Sequence, residues 1–174
     1  MWDFLKDFQT GIVGILGFAG VILTLWWNAR LQRKSREHEI EIERKALHIA
    51  LLTELNVVHK IFSYNIRTLS ENMEKMRIGQ NLGDLAYGFD EPSRVFDANI
   101  HKIGLLGQEG AGKVLSAFLP LATVSNRLLL YGTLHSSGQS VLIDPAHIHS
   151  IHNMYQGHIG KIEAATRWLS EHQE

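Results

Sequence analysis

Cysteine is absent from this chain of 174 residues. That excludes a disulfide framework, thiolate catalysis and cysteine-based zinc sites. Proline is scarce, with three residues at 92, 120 and 145. Few breakers mean that long helices are permitted. An excess of one charge sign is also missing. The formal net charge is −1. Residues 1–10 hold Asp3, Lys6 and Asp7, so the remainder is neutral. A neutral domain argues against broad duplex nucleic-acid binding. It still allows a small pocket for a compact anion. The chain has no H-E-x-x-H, no G-x-S-x-G elbow and no paired-carboxylate signature. The expectation is a protein that is not an enzyme and uses no cofactor and no metal.

Charge is wholly absent from residues 11–27, GIVGILGFAGVILTLWW. With Phe8, Gln9 and Thr10 the run reaches about 20 residues, enough for a helix to cross a hydrocarbon core. The leader is acidic and no A-x-A site follows, so an uncleaved anchor is expected rather than a signal peptide. Trp2 and Trp26/Trp27 stand where interfacial aromatic belts would lie. Arg30, Arg33, Lys34 and Arg36 follow before the next acid, Glu37. By the positive-inside rule the N-terminus is expected outside a bacterial inner membrane and the C-terminal part in the cytoplasm. Gly11, Gly14, Gly17 and Gly20 form a small-residue row, a candidate surface for self-association in the bilayer.

The remaining residues read as helical. The expected layout is a leader at 1–10, a transmembrane helix at 11–27, a charged helical connector at 28–50 and a cytosolic domain at 51–174. Leu51, Leu55, Val58, Phe62, Ile66, Leu69, Met73 and Met76 recur at helical spacing. Two readings are open: the core face of an intramolecular bundle, or a seam that also forms a parallel coiled coil. Residues 79–90 read as a loop. Pro92 opens a second helix, with Val95, Phe96, Asn99, Ile100 and Ile103 inward. A third helix starts near 110–113 and should kink at Pro120. Leu115, Phe118, Leu121, Ala122, Leu128, Leu129 and Tyr131 supply its apolar side. Val141, Leu142 and Ile143 suggest a brief strand with no evident partner. Asp144-Pro145 starts the last helix. Its inward face is Ile148, Ile151, Tyr155, Ile162, Ala165 and Leu169, and Gly157 and Gly160 offer a close-packing surface. The expected fold class is all-α, with a single N-terminal span and a cytosolic bundle of about four helices.

Three stretches carry candidate chemistry. GQEGAGKV at 107–114 fits G-x-x-x-x-G-K but has Val114 where a phosphate loop holds Mg²⁺ with Ser or Thr. SVLID at 140–144 mimics a Walker B strand, yet the neighbouring segments are helical, so a nucleotide hydrolase is rejected. Gly110, Gly112 and Lys113 still combine free N–H groups with a positive charge at a helix start. The alternative is an ordinary helix–helix turn. His147, His149, His152 and His158 cluster in sequence, but they fall on different helix faces and cannot form one four-histidine site. The third stretch is the turn His135-Ser136-Ser137-Gly138, a candidate ligand loop.

The segment VFDANIHKIGLLG followed by AGKVLSAFLPL, roughly 95–121, is similar to one in uncharacterised bacterial membrane-anchored helical proteins. With the anchor and the basic exit NARLQRK, the layout resembles small membrane effectors of type III CRISPR antiviral systems. That resemblance implies a cytosolic domain that binds a cyclic oligoadenylate and an oligomeric membrane segment that disrupts the bilayer. The implied partners are the lipid bilayer, further copies of the chain and the cyclic ligand. A phosphodiester ligand calls for cationic, histidine and small hydroxyl donors. The chain offers Lys102, Lys113, Arg127, His135, Ser136, Ser137 and His158, beside Gly110 and Gly112. The competing reading is a non-catalytic membrane-tethered adaptor.

Overall fold

The computed structural model describes the backbone of residues 2–80, 85–88, 93–134 and 140–172, and side chains of 17–80, 93–133 (Ala122 and Ser125 apart) and 141–172. The chain is mainly helical. Helix α1 is Trp2–Arg77, β1 is Leu85–Gly88, α2 is Arg94–Asn99, and a 3₁₀ helix covers Ile100–Leu106. Helix α3 is Gly107–Tyr131, followed by β2 (Gly132–Leu134) and β3 (Ser140–Ile143). A 3₁₀ turn, Pro145–His147, leads into α4 (Ile148–Glu171). The chain divides into two units, residues 1–43 and 44–174.

In the second unit the apolar seam of α1 is buried. Leu51, Leu55, Val58 and Leu69 are fully enclosed, Phe62 nearly so, and Ile66, Met73 and Met76 pack at the edge. The seam is therefore the core face of an intramolecular bundle, which leaves it no surface for a parallel coiled coil. Burial starts at Leu47 and His48, inside the stretch read as a connector up to residue 50. Each large aliphatic side chain enclosed this way contributes about 1.5–3 kcal/mol.

Helix α1 stops where its carbonyls find new donors. Gly79 has φ +81°, its N–H bonds to the Met76 carbonyl, and the Gln80 N–H bonds to the Lys75 carbonyl. This is a Schellman closure, and its left-handed residue favours glycine.

Helix α4 lies antiparallel to α1. His48 Nε2–H donates to the Leu169 carbonyl, His59 meets Glu163, Asn65 Nδ2 donates to Tyr155 Oη, and Ser70 Oγ meets His152 Nε2. Numbers rise along one helix as they fall along the other. Ile148, Ile151, Tyr155, Ile162, Ala165 and Leu169 are all buried, as the helical spacing requires. Gly157 and Gly160 differ from expectation: both are exposed, and a Cβ at either would meet open space.

Helix α3 packs on α4, with Gly110 against Trp168 near one end and Tyr131 stacked on His147 near the other. It begins at Gly107, earlier than expected, and runs unbroken through Pro120. The proline removes only the bond that would reach the Ser116 carbonyl. Val114, Ala117, Phe118, Leu121, Val124 and Leu128 are buried, whereas Leu129, expected inward, is exposed.

The second helix is shorter than expected because a 3₁₀ segment takes over at Ile100, which is itself exposed. Phe96 stacks on Phe118 with ring centroids 4.4 Å apart. The first turn of α2 is capped from elsewhere. Glu54 on α1 accepts from the Val95 N–H at 2.7 Å and the Phe96 N–H at 2.9 Å. Burial pushes the Glu54 carboxyl above its ordinary range, the two N–H donors oppose this, and Asp97 adds to the rise. Glu54→Ala should cost about 1–3 kcal/mol, because two orphan donors lose a charged acceptor. Glu54→Gln retains one acceptor oxygen and should cost less. Urea midpoints of the detergent-solubilised chain check this; equal losses in both variants would remove the capping role.

A small antiparallel sheet completes the unit, with strand order β1-β3-β2. Leu85 pairs with Ile143 and Gly88 with Ser140, while Gly132 also faces Ile143. The expected brief strand therefore has two partners, one drawn from the stretch read as a loop at 79–90. Val141 and Ile143 face the core.

Among the described residues, one helical stretch, Arg94–Tyr131, is long and apolar enough to cross a membrane. Its best window is 38% buried within the protein, as a core helix of a bundle would also be, so this is weak evidence. The expected span at 11–27 has its backbone in α1, but its side chains are described only from Gly17 onward.

Candidate membrane interface

In the first unit, described side chains from Gly17 to Trp27 are all exposed. Phe18, Val21, Ile22, Leu23, Leu25, Trp26 and Trp27 show 50–69% of their surface. At 100° per residue they cover about two thirds of the helix circumference, and Gly17, Gly20 and Thr24 take the remaining face. A helix with no charge on any face needs an apolar surround, and this one finds none among the described residues of its own unit. Thr24, the one hydroxyl in the stretch, donates to the Gly20 carbonyl at 2.9 Å, so its polar hydrogen is satisfied within the helix.

The polar border begins one turn on. The Arg30 guanidinium lies over the Trp26 ring, 5.5 Å from its centroid. Trp26, Ala29, Arg30, Arg33, Lys34 and Glu37 line a groove of about 400 Å³. Trp27, Arg30, Leu31 and Lys34 line a second of about 310 Å³. The spacing 26, 30, 33, 34, 37 explains this: i, i+4, i+7, i+8 and i+11 return to one helix face. Of the glycine row, Gly17 and Gly20 are open, with nothing within 4 Å of a built Cβ. The surroundings of Gly11 and Gly14 lie outside the described residues.

The candidate ligand residues in the second unit are spread rather than gathered. His135, Ser136 and Ser137 lie outside the described residues. Lys102 sits half-buried in the 3₁₀ segment and has an interaction partner. Because α3 starts at Gly107, Lys113 lies beyond its four free N–H groups, and its ammonium pairs with Glu109 at 2.9 Å. Gly110 has a packing role instead: a built Cβ would lie 2.8 Å from Trp168 Cζ2, with two more indole carbons closer still. Gly112 is open. Together with Gln108, Glu109, Lys113 and Ser116 it lines a shallow depression of about 530 Å³. Its acid, Glu109, already holds its cation, so the Lys113 charge that the phosphate reading of GQEGAGKV relies on is paired within the helix.

The histidine run is likewise dispersed. His147 stacks on Tyr131, 4.8 Å between centroids, and His149 is exposed. The Ser70 hydroxyl donates to the Ile66 carbonyl, so it accepts from His152 Nε2–H at 3.0 Å. No group of three or more metal-binding side chains converges among the described residues.

His158 differs. It occupies the seam of α4 between Tyr155 and Ile162, half-buried, and its Nδ1 is enclosed without a partner among the described residues. Burial holds its ring below the ordinary histidine range, and the charges of Lys161 and Arg127 push the same way. Arg127 and His158 are thus two sequence candidates brought within electrostatic reach of each other. The folded protein resists a proton that the unfolded chain accepts. Stability should therefore be full above the unfolded histidine pKa of about 6.5 and fall as pH drops from there toward the lower folded value. His158→Leu should remove that share of the acid sensitivity and, by replacing an unpartnered ring nitrogen, add about 1 kcal/mol at neutral pH. Parallel urea titrations across this pH range test it, and identical acid sensitivity in both proteins would refute it.

Two structural clusters have no motif in the sequence. One is Glu54 on the α2 amides. The other is the Trp168 indole, which stacks with His172 at 4.4 Å and with His48 at 6.0 Å. The residue types alone announce neither, since each joins segments far apart in the chain. No protein-family model, no curated protein and no solved structure matches this chain.

Proposed function

We propose that the protein is a single-pass, membrane-anchored effector module of the bacterial inner membrane. Residues 11–27 span the bilayer, the N-terminus lies outside, and a cytosolic bundle of about four helices follows. The observation that carries this reading is the exposure of the large apolar side chains of an uncharged helix from Phe18 to Trp27, followed at once by Arg30, Arg33, Lys34 and Arg36. Such a surface is costly in water and favourable in lipid, with tryptophan and cations at its border. The test is extraction of membranes with alkaline carbonate, joined to protease access from the cytoplasmic side. Recovery of the full chain in the carbonate supernatant would sink the reading.

The cytosolic unit acts as a sensor for a cyclic oligoadenylate and triggers assembly of the membrane segments in antiviral defence. Support comes from the layout-level resemblance and from the Arg127–His158–Lys161 group, whose two cations have no carboxylate partner among the described residues. Ligand binding would favour one arrangement of the helices over another, and α1 runs from that unit into the anchor. Titration of full-length protein in detergent with cyclic tetra-adenylate and other cyclic nucleotides tests it; no binding to any of them removes the sensor.

A second reading, a non-catalytic tethered adaptor, is favoured by Leu119 and Leu130 on α3, 60% and 79% exposed. Eleven residues apart, the two fall on one face of the helix, the side a partner would cover.

A further inference from the structure

We infer that the aromatic–cationic face Trp26, Arg30, Arg33 and Lys34 is a binding site for the headgroup of an anionic phospholipid. The inference rests on the anchor reading and goes beyond it: a tether needs only apolar length, whereas this face selects the lipid.

Three observations carry it. First, the cations are available. Among the described residues none of Arg30, Arg33, Lys34 and Arg36 is paired with a carboxylate, although Glu37 is one turn away from Arg33. Second, they are gathered. Arg30, Arg33 and Lys34 line one groove with Trp26, Ala29 and Glu37, so its cations outnumber its one carboxylate, and Arg30 and Lys34 line the adjoining groove with Trp27 and Leu31. A purely topological signal needs positive charge near the membrane but not on one face. Third, the floor of both grooves is amphipathic. The indoles place an apolar body beside a polar tip at headgroup depth, and Arg30 already lies over the Trp26 ring.

The chemistry fits a phosphate diester. Two guanidinium forks can each give paired N–H bonds to phosphate oxygens, while Lys34 supplies a point charge. Their aliphatic stems cover apolar surface as the heads reach outward. A zwitterionic headgroup offers the same phosphate but adds an ammonium that these cations repel. The committed occupant is therefore an anionic lipid such as phosphatidylglycerol.

The test uses the full-length protein reconstituted into vesicles of equimolar phosphatidylcholine and phosphatidylglycerol. Lipids retained on the protein after gentle detergent extraction are counted by native mass spectrometry. The wild type should retain phosphatidylglycerol over phosphatidylcholine by about tenfold, less than the limit set by about fivefold per cation because salt screens the outer charges. The preference should collapse in molar salt, where the Debye length is about 3 Å. The triple variant Arg30→Gln, Arg33→Gln, Lys34→Gln should retain the two lipids about equally and still reside in the vesicles, since glutamine has a similar helix propensity. A variant with Lys60→Gln, Arg67→Gln and Arg94→Gln loses the same charge elsewhere and should keep the preference. Equal retention by the wild type, or an unchanged preference in the triple variant, overturns the headgroup site and leaves the anchor standing. Protein recovered outside the vesicles overturns the anchor, and the headgroup site with it.

Discussion

Phe18→Arg with Ile22→Arg is expected to move the protein from the carbonate-resistant pellet to the supernatant. The two positions lie one turn apart on the same face of α1, and both side chains are exposed. A charged residue near the centre of a spanning helix costs about 2.5–3.5 kcal/mol on insertion scales, so the pair costs about 5–7 kcal/mol. That exceeds what the remaining apolar residues of a short glycine-bearing span readily offset. The prediction discriminates sharply. If residues 17–27 were an exposed surface helix in water, two arginines at open positions would change stability by no more than about 0.5 kcal/mol each and would improve solubility. Phe18→Leu with Ile22→Leu is the matched control and should stay in the pellet. A wild-type chain already in the supernatant, or a double-arginine variant still resistant to carbonate, would refute the anchor.

The second large effect concerns Gly110. It was a candidate phosphate donor by its place in GQEGAGKV, and the fold gives it a packing role. A methyl group there would enter the space of the Trp168 indole. The indole is held in turn by stacking with His172 and His48, and the His172 Nδ1–H donates to the Trp168 carbonyl at 2.9 Å. It cannot yield cheaply. Gly110→Ala should therefore destabilise by about 1–3 kcal/mol, the range for overpacking a core. Helix propensity alone argues the opposite sign, a gain of up to about 1 kcal/mol. The double-mutant cycle separates the two. Trp168→Leu removes the clash, at a cost of a few kcal/mol by itself, since truncating a buried tryptophan to alanine costs about 3–5 kcal/mol. In that background Gly110→Ala should turn neutral or stabilising. Thermal midpoints followed by circular dichroism in mild detergent read all four proteins. The same loss from Gly110→Ala in both backgrounds would eliminate the indole as the cause.

Legibility in the sequence follows the range of the interaction. Every apolar position assigned inward on α4 is buried, because 3.6-residue periodicity is a property of one helix and needs no partner to be read. The end of α1 at Gly79 and the start at Asp144-Pro145 are local too. Asp144 accepts from the Ala146 N–H at 2.8 Å, as an N-cap carboxylate does. The strand at 140–143 was visible by composition, but its partner at 85–88 was not. Four residues, LAYG, carry too little alternation to separate a strand from a loop. Leu129 and Ile100, expected on the inward faces of their helices, are turned out by the packing of α3 and the onset of the 3₁₀ segment.

What the sequence determined by itself is the helical class, the apolar segment at 11–27 with its tryptophan and arginine border, and which face of each long helix seeks cover. These are one-dimensional patterns, repeated often enough to outweigh single exceptions. Only the tertiary structure decided that the α1 seam is enclosed within its own chain and that Glu54 caps a helix 41 residues away. It alone brought His158 near Arg127 and set Gly110 against Trp168. Each of those joins groups distant in sequence, and spacing along a chain carries no information about which faces meet.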